Sequence, residues 1–261
     1  MPGPVCEDRS IREAVCIHTK KIFDSCKDKD CIEDIRVYPT RSSQAVIDRA
    51  QSVKAGTAEL LYAYIDVEPI NFNRGFYTVD VRYFYRITAD AFVGAARPVE
   101  VTGLAVFDKR VILFGSEGSA KVFSSQAASG ALDLQALPGR SNPTAVVESV
   151  DPIILSMKLV DVCECRPGDC CCEIPPAICA CFPEELVLGG DVHRLYVTLG
   201  QFSIIRMERD TQLLIPAYDY CLPEKECTCG CGCECQEDPC EMFRKVQFPF
   251  NEFFPPNSIQ S

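Results

Sequence analysis

The chain has no tryptophan, only two histidines, and fewer basic than acidic residues, 26 against 37, within 261 residues. The histidines, His18 and His193, lie far apart in sequence, so no thiol is singled out with a partner base as a nucleophile. A formal charge of −11, with no Lys/Arg run, argues against nucleic acid or an anionic membrane as partner, because phosphate binding is driven by clustered cations. No apolar run approaches the length that crosses a bilayer. The opening "MPGPVCEDRS" lacks a positive stretch followed by an apolar one and does not read as a secretory signal peptide. "GSEGSAK" at 115–121 lacks the spacing of a phosphate loop and reads as a turn. Asp28 and Asp30 in "CKDKDC", and Glu184 and Glu185, read as solvated faces. No residue stands out as catalytic, and the expectation is a protein that is not an enzyme.

What the chain has in excess is cysteine, 18 residues. A chain of this length can bury a proper core, so it does not need so many thiols merely to fold. They fall into three groups: Cys6, Cys16, Cys26 and Cys31; Cys163, Cys165, Cys170, Cys171, Cys172, Cys179 and Cys181; and Cys221, Cys227, Cys229, Cys231, Cys233, Cys235 and Cys240. No C-x-x-C occurs, although that short-turn spacing is how structural zinc sites usually recruit paired ligands. In "ECTCGCGCEC", an extended backbone places the sulfurs of residues 227–235 on one face and Thr228, Gly230, Gly232 and Glu234 on the other. Neighbouring sulfurs on one strand face cannot easily bridge each other, because a disulfide needs a specific Cβ separation and dihedral. They are expected to bond to a second segment: residues 163–181, the N-terminal cysteines, or another copy of the chain. The alternative is a metallothionein-like tract in which thiolates share zinc or copper, with His18 the one plausible histidine to complete such a site. The disulfide reading calls for no cofactor.

Between Cys31 and Cys163 the periodicity is that of strands. In "YTVDVRYFYRIT", Tyr77, Val79, Val81, Tyr83, Tyr85 and Ile87 alternate with Thr78, Asp80, Arg82, Phe84, Arg86 and Thr88, which suits one buried and one wetter face. "AELLYAYIDVEP" reads as a strand ended by Pro69, and "VEVTGLAVFDKRVILFGS" as two strands joined near Asp108 and Lys109. "TAVVESV" and "IILSMKLVDV" flank a turn at Asp151-Pro152, and "HRLYVTLGQFSIIRMERDTQLLIPAY" suggests a hairpin around Arg209 and Asp210. "SIREAVCIHTKKIFDSC" looks helical, with Ser10 as its cap, and "SSQAASGALDLQALPGRSNPT" reads as a loop. The expected architecture is mainly β, an antiparallel β-sandwich-like core with cysteine-rich N-terminal, inserted and C-terminal segments. Residues 1–40 form the first segment, 41–220 the core with its insertion at 161–182, and 221–261 the last.

In the tail "FRKVQFPFNEFFPPNSIQS", Phe243, Phe248, Phe250, Phe253 and Phe254 are interface candidates. The prolines suit an extended arm. It either packs on its own domain or lies against a neighbouring subunit.

The segments "VCIHTKKIFDSCKDKDCIEDIRVYPT", "YIDVEPINFNRGFYTVDVRYFYRIT" and "VTGLAVFDKRVILFGSEGSAKVFSS", with the late cysteine clusters, resemble a group of clostridial cysteine-rich proteins. In general character the chain is similar to the self-assembling proteins of the clostridial spore surface, including exosporium lattice and spore-appendage subunits. That resemblance implies a structural homo-oligomer, lattice or filament, with other spore-coat proteins as further partners. It also implies synthesis in the mother-cell cytoplasm without a signal peptide and oxidation of the thiols after the mother cell lyses. No functional residue beyond the cysteines comes with it.

Overall fold

A computed structural model describes residues 16–95, 97–118, 121–122, 139–140, 143–162, 174–189, 192–214 and 239–253. The elements are β1 (Cys16–Pro39), α1 (Arg41–Ile47), β2 (Ser52–Pro69), β3 (Phe76–Phe92), β4 (Val99–Phe114), β5 (Lys121–Val122), β6 (Gly139–Arg140), β7 (Thr144–Ser149), β8 (Ile153–Asp161), α2 (Pro176–Cys179), β9 (His193–Leu214), α3 (Pro239–Arg244) and α4 (Phe250–Phe253). Seven strands form one antiparallel sheet in the order β2-β3-β4-β1-β9, with β7 and β8 in succession along the far side of β9; β5 and β6 pair separately. The mainly β, antiparallel expectation holds, and its two layers come from a single sheet rolled on itself.

The rolling has a local cause. β1 pairs with β9 from Cys16↔Leu214 to Val37↔Leu195, but with β4 only through Val37↔Ala105, Tyr38↔Leu104 and Pro39↔Gly103. Beyond that corner β1 and β4 part, and their inner faces meet across the interior. Gly103 allows the corner, since a Cβ there would lie 2.7 Å from the Tyr38 carbonyl oxygen. Register shifts in β1 at Ile22/Asp24 and Ile32/Ile35 add twist, the second including Asp34 at φ 44°. At the other end β2 comes round against β7 and β8, where the Leu60 amide donates to Asp151 Oδ1 at 2.8 Å. The sheet nearly closes into a barrel.

Tyr77, Val79, Val81, Tyr83, Tyr85 and Ile87 of β3 all point into the core, as their alternation requires, against Leu195, Val197, Leu199, Ile205 and Met207 of β9. The opposite face of β3 breaks its pattern at Phe84. The inserted segment around α2 folds back there, and Ile178 and Phe182 bury Phe84 with Leu104 in a second cluster outside the barrel. Arg86 secures it, donating to the Cys181 carbonyl oxygen at 2.8 Å.

Three local readings are corrected. Residues 16–26 are strand rather than helix, because β9 offers continuous ladder partners; Ser10 lies outside the described residues. β4 is one strand, in which Asp108 pairs across to Arg82 at 2.6 Å and Lys109 turns inward. β9 is also one strand: Arg209 is buried and donates to the carbonyl oxygens of Gly115 and Ser116 and to the Tyr77 hydroxyl at 2.5, 2.8 and 3.0 Å. Gly115 and Ser116, at the start of "GSEGSAK", thus offer carbonyl oxygens to a cation. The turn expected at Asp151-Pro152 is also corrected: these residues interrupt the ladder without reversing the chain, and β7 and β8 run on in one direction along β9. Of the stretch read as a loop, 124–144, residues 124–138 and 141–142 lie outside the described residues, and Gly139–Arg140 form β6.

Candidate functional site

"CKDKDC" lies within β1, so its period of two separates two chemistries. Lys27, Lys29 and Cys31 face outward; Cys26, Asp28, Asp30 and Ile32 face inward. Each set is met by its register partners on β9: Phe202 opposite Lys29 and Gly200 opposite Cys31 outside, Ser203 opposite Asp28 and Gln201 opposite Asp30 inside.

The outer set holds the tail. Cys31 is disulfide-bonded to Cys240 of α3, 209 residues away, with the Cα atoms 5.5 Å apart. Phe243, one turn on, is buried against Phe202 with ring centroids 4.7 Å apart. Gly200 makes room, because a Cβ there would stand 2.9 Å from the Phe243 ring. Lys29 donates to the carbonyl oxygens of Arg244 and Val246 at the end of α3, where unsatisfied carbonyls favour a cation. Its ammonium also lies 5.4 Å from the Phe243 centroid, and that of Lys27 lies 5.4 Å from Phe250. Phe248 continues the stack, 5.4 Å from Phe202, 4.9 Å from Phe250 and 5.1 Å from Phe253. Four of the five aromatic interface candidates therefore lie on their own barrel; Phe254 is outside the described residues.

The inner set is ionic. The Lys109 ammonium, its side chain 1% exposed, is held between Asp28 Oδ2 and Asp30 Oδ2, the latter at 2.5 Å. Asp28 Oδ1 accepts from the Lys29 amide at 2.7 Å, which fixes the carboxylate. Burial raises the Asp30 carboxyl from 3.8 to about 6; Lys109 opposes the rise, and the charge and hydrogen bond of Asp28 add to it. Tyr85 donates to Gln201 Oε1, and Gln201 Nε2 to Ser149 Oγ at 3.1 Å. Burial likewise holds the phenols of Tyr83 and Tyr85 above the ordinary tyrosine range. Asp28 and Asp30 are thus interior groups, which corrects their reading as a solvated face. The parity of "CKDKDC" carried the signal, but only with the segment assigned as a strand. Glu184 and Glu185 are at the surface, the first accepting from the Ser42 amide at 2.8 Å, the second pairing with Arg41 at 2.6 Å. The Ser42 hydrogen bonds lower the Glu184 carboxyl.

The remaining thiols divide by place. Cys26 is buried and disulfide-bonded, whereas Cys16, Cys179 and Cys181 are free and exposed. Cys16 begins β1; Cys179 and Cys181 belong to the α2 segment, which approaches the other end of β1 where the Val187 amide donates to the Pro39 carbonyl oxygen at 2.7 Å. Donor atoms of Cys31, Cys240 and Glu33 lie within 4.8 Å of one another, but the two sulfurs are bonded together, so that group could hold a soft ion only after reduction. His18 is exposed in β1 opposite Gln212. Cys6, Cys163, Cys165, Cys170, Cys171, Cys172, Cys221, Cys227, Cys229, Cys231, Cys233 and Cys235 lie outside the described residues.

No family model matches the chain, and no solved structure matches it. Over 67 residues, 26% of its length, the chain is 36% identical to "Exosporium protein A" of Clostridium sporogenes (strain ATCC 15579), a match spanning 19% of that protein.

Proposed function

We propose that the chain is a structural, non-catalytic subunit of the bacterial spore surface that self-assembles into a disulfide-cross-linked lattice or filament. The partial similarity to an exosporium protein supports the location. One observation carries the assembly: the fold consumes Cys26, Cys31 and Cys240 in disulfides, yet presents Cys16 and the Cys179/Cys181 pair unbonded toward opposite ends of a 24-residue strand. Thiols at two ends of a rigid body suit head-to-tail links between copies, closing into rings and lattices or continuing as filaments. Oxidation then makes the contacts hard to reverse. Synthesis in the mother-cell cytoplasm, followed by oxidation when that cell lyses, fits this order of events, and other spore-coat proteins would be reached through the same thiols.

Gel electrophoresis of native material with and without a thiol reductant, beside electron microscopy of the purified protein, tests the reading. Heat-resistant high-mass species that collapse only with reductant, and ordered sheets or fibres, are expected. A monomer carrying stoichiometric zinc or copper would overturn it in favour of a thiolate metal-binding protein.

A further inference from the structure

The ionic cluster inside the barrel performs no task in the assembly, and its composition is costly. Removing ions from water costs several kcal/mol each, recovered only where geometry and hydrogen bonding are good. Here one ammonium faces two carboxylates, so the cluster carries net negative charge when all three are ionised. The site is also dry: the three side chains are 1%, 13% and 9% exposed, and the stacked rings of Tyr83 and Phe107, 6.2 Å apart, occupy the next pair on the same face, two residues along from Val81 and Lys109. An amine pressed against a fixed carboxyl group, with a second carboxyl touching both, has the makings of an intramolecular condensation.

We propose that Lys109 and Asp28 join through an isopeptide bond across the barrel interior, with Asp30 as the catalytic residue that transfers the protons. Asp30 Oδ2 touches Lys109 Nζ beside the Asp28 carboxyl, and burial lets Asp30 hold its proton to a higher pH than an exposed aspartate does. Lys109 first passes one proton to the Asp28 carboxylate, leaving a neutral amine and a neutral acid. Nζ attacks Cγ of Asp28 while Asp30 protonates the carboxyl oxygen; Asp30 recovers a proton from the nitrogen, and the C–O bond breaks with release of water. The sum is ammonium plus carboxylate giving amide plus one water, with no change of oxidation state and Asp30 regenerated. The product removes two buried charges, and a water-poor interior disfavours hydrolysis. The bond would tie β1 to β4 where their hydrogen-bonded pairing has ended, and unlike the disulfides it would survive reductant.

The test is the intact mass of the full chain, reduced, alkylated and denatured. The wild type is expected one water lighter than its sequence requires, and proteolysis should yield a branched peptide joining Lys109 to Asp28. Asp30→Asn, with unchanged circular dichroism, should return to the full sequence mass. A wild type at full mass overturns the proposal, as does a water loss carried by a linear Asp28 peptide, which marks a cyclic imide. Loss of water persisting in Asp30→Asn, or a branch at Asp30, overturns the role given to Asp30. None of these readings depends on whether copies assemble.

Discussion

On the two faces of β1, two lysines from different strands do opposite work. Lys29, outside, meets carbonyl oxygens and aromatic faces, keeps partial contact with water, and helps seat a tail whose attachment is completed by a disulfide. Lys109, reaching the inner face from β4, meets only carboxylates in a space that excludes water. The same functional group is a modest contact in one place and a strong structural commitment in the other. The difference is solvent: outside, water takes over any partner that is lost, whereas inside, a lost partner leaves its counter-charge stranded.

The comparison is broken most severely by Lys109→Ala. Removing it leaves two buried acids without their cation and also abolishes the proposed link to Asp28, so the barrel should lose at least about 3–5 kcal/mol in denaturant unfolding. A loss near zero would mean that the interior carboxylates are wetter than their burial indicates. Next comes the tail lock. In the loop-closure model a cross-link spanning 209 residues restricts the unfolded chain by up to about 5 kcal/mol. The double variant Cys31→Ala/Cys240→Ala should lose about 2–4 kcal/mol under oxidising conditions and should match the wild type once both are reduced. If the gap persists in reductant, the cysteines contribute through packing rather than through the bond.

Titration sharpens the inner side. The folded-state value of Asp30, about 6, lies above its ordinary 3.8. Its stabilising contribution is therefore complete below 3.8 and lost as pH rises through about 6, on the order of 3 kcal/mol. Asp30→Asn should flatten that part of the stability curve in a pH series of urea melts; an unchanged slope would assign it to another group. The smallest effect belongs outside. Gly200→Ala presses a methyl onto the Phe243 ring, costing about 1–3 kcal/mol. It should raise protease sensitivity near residue 240 while leaving the barrel's amide-exchange protection intact; loss of protection throughout would show that tail and barrel unfold as one unit.

Much of β3 was legible because its inward residues recur every second position and are all large and apolar. β4 and β9 were harder. Asp108-Lys109 and Arg209-Asp210 are charged pairs within apolar runs, and local chemistry reads such pairs as turns. In the fold each finds a partner from a distant strand: Arg82 for Asp108, two aspartates for Lys109, and the carbonyl oxygens of Gly115 and Ser116 for Arg209. The N-terminal segment failed differently. Its helical spacing was genuine as a pattern but weaker than a continuous ladder with β9. Phe84 broke the alternation of β3 because the α2 segment covers it, a contact that no local window contains.

By itself, the amino-acid order determined the strand-rich class, the absence of thiols between Cys31 and Cys163, and the parity that sorts Asp28 and Asp30 from Lys29 and Cys31. All of these are short-range properties, set by the two-residue repeat of an extended backbone and by where each residue type occurs along it. Only the tertiary structure decided that one sheet rolls on itself, that Cys31 meets Cys240, and that Lys109 closes on two aspartates. Those pairings join residues 79 to 209 positions apart. Register, twist and burial fix them through the whole sheet at once, which leaves no periodic trace in either partner alone.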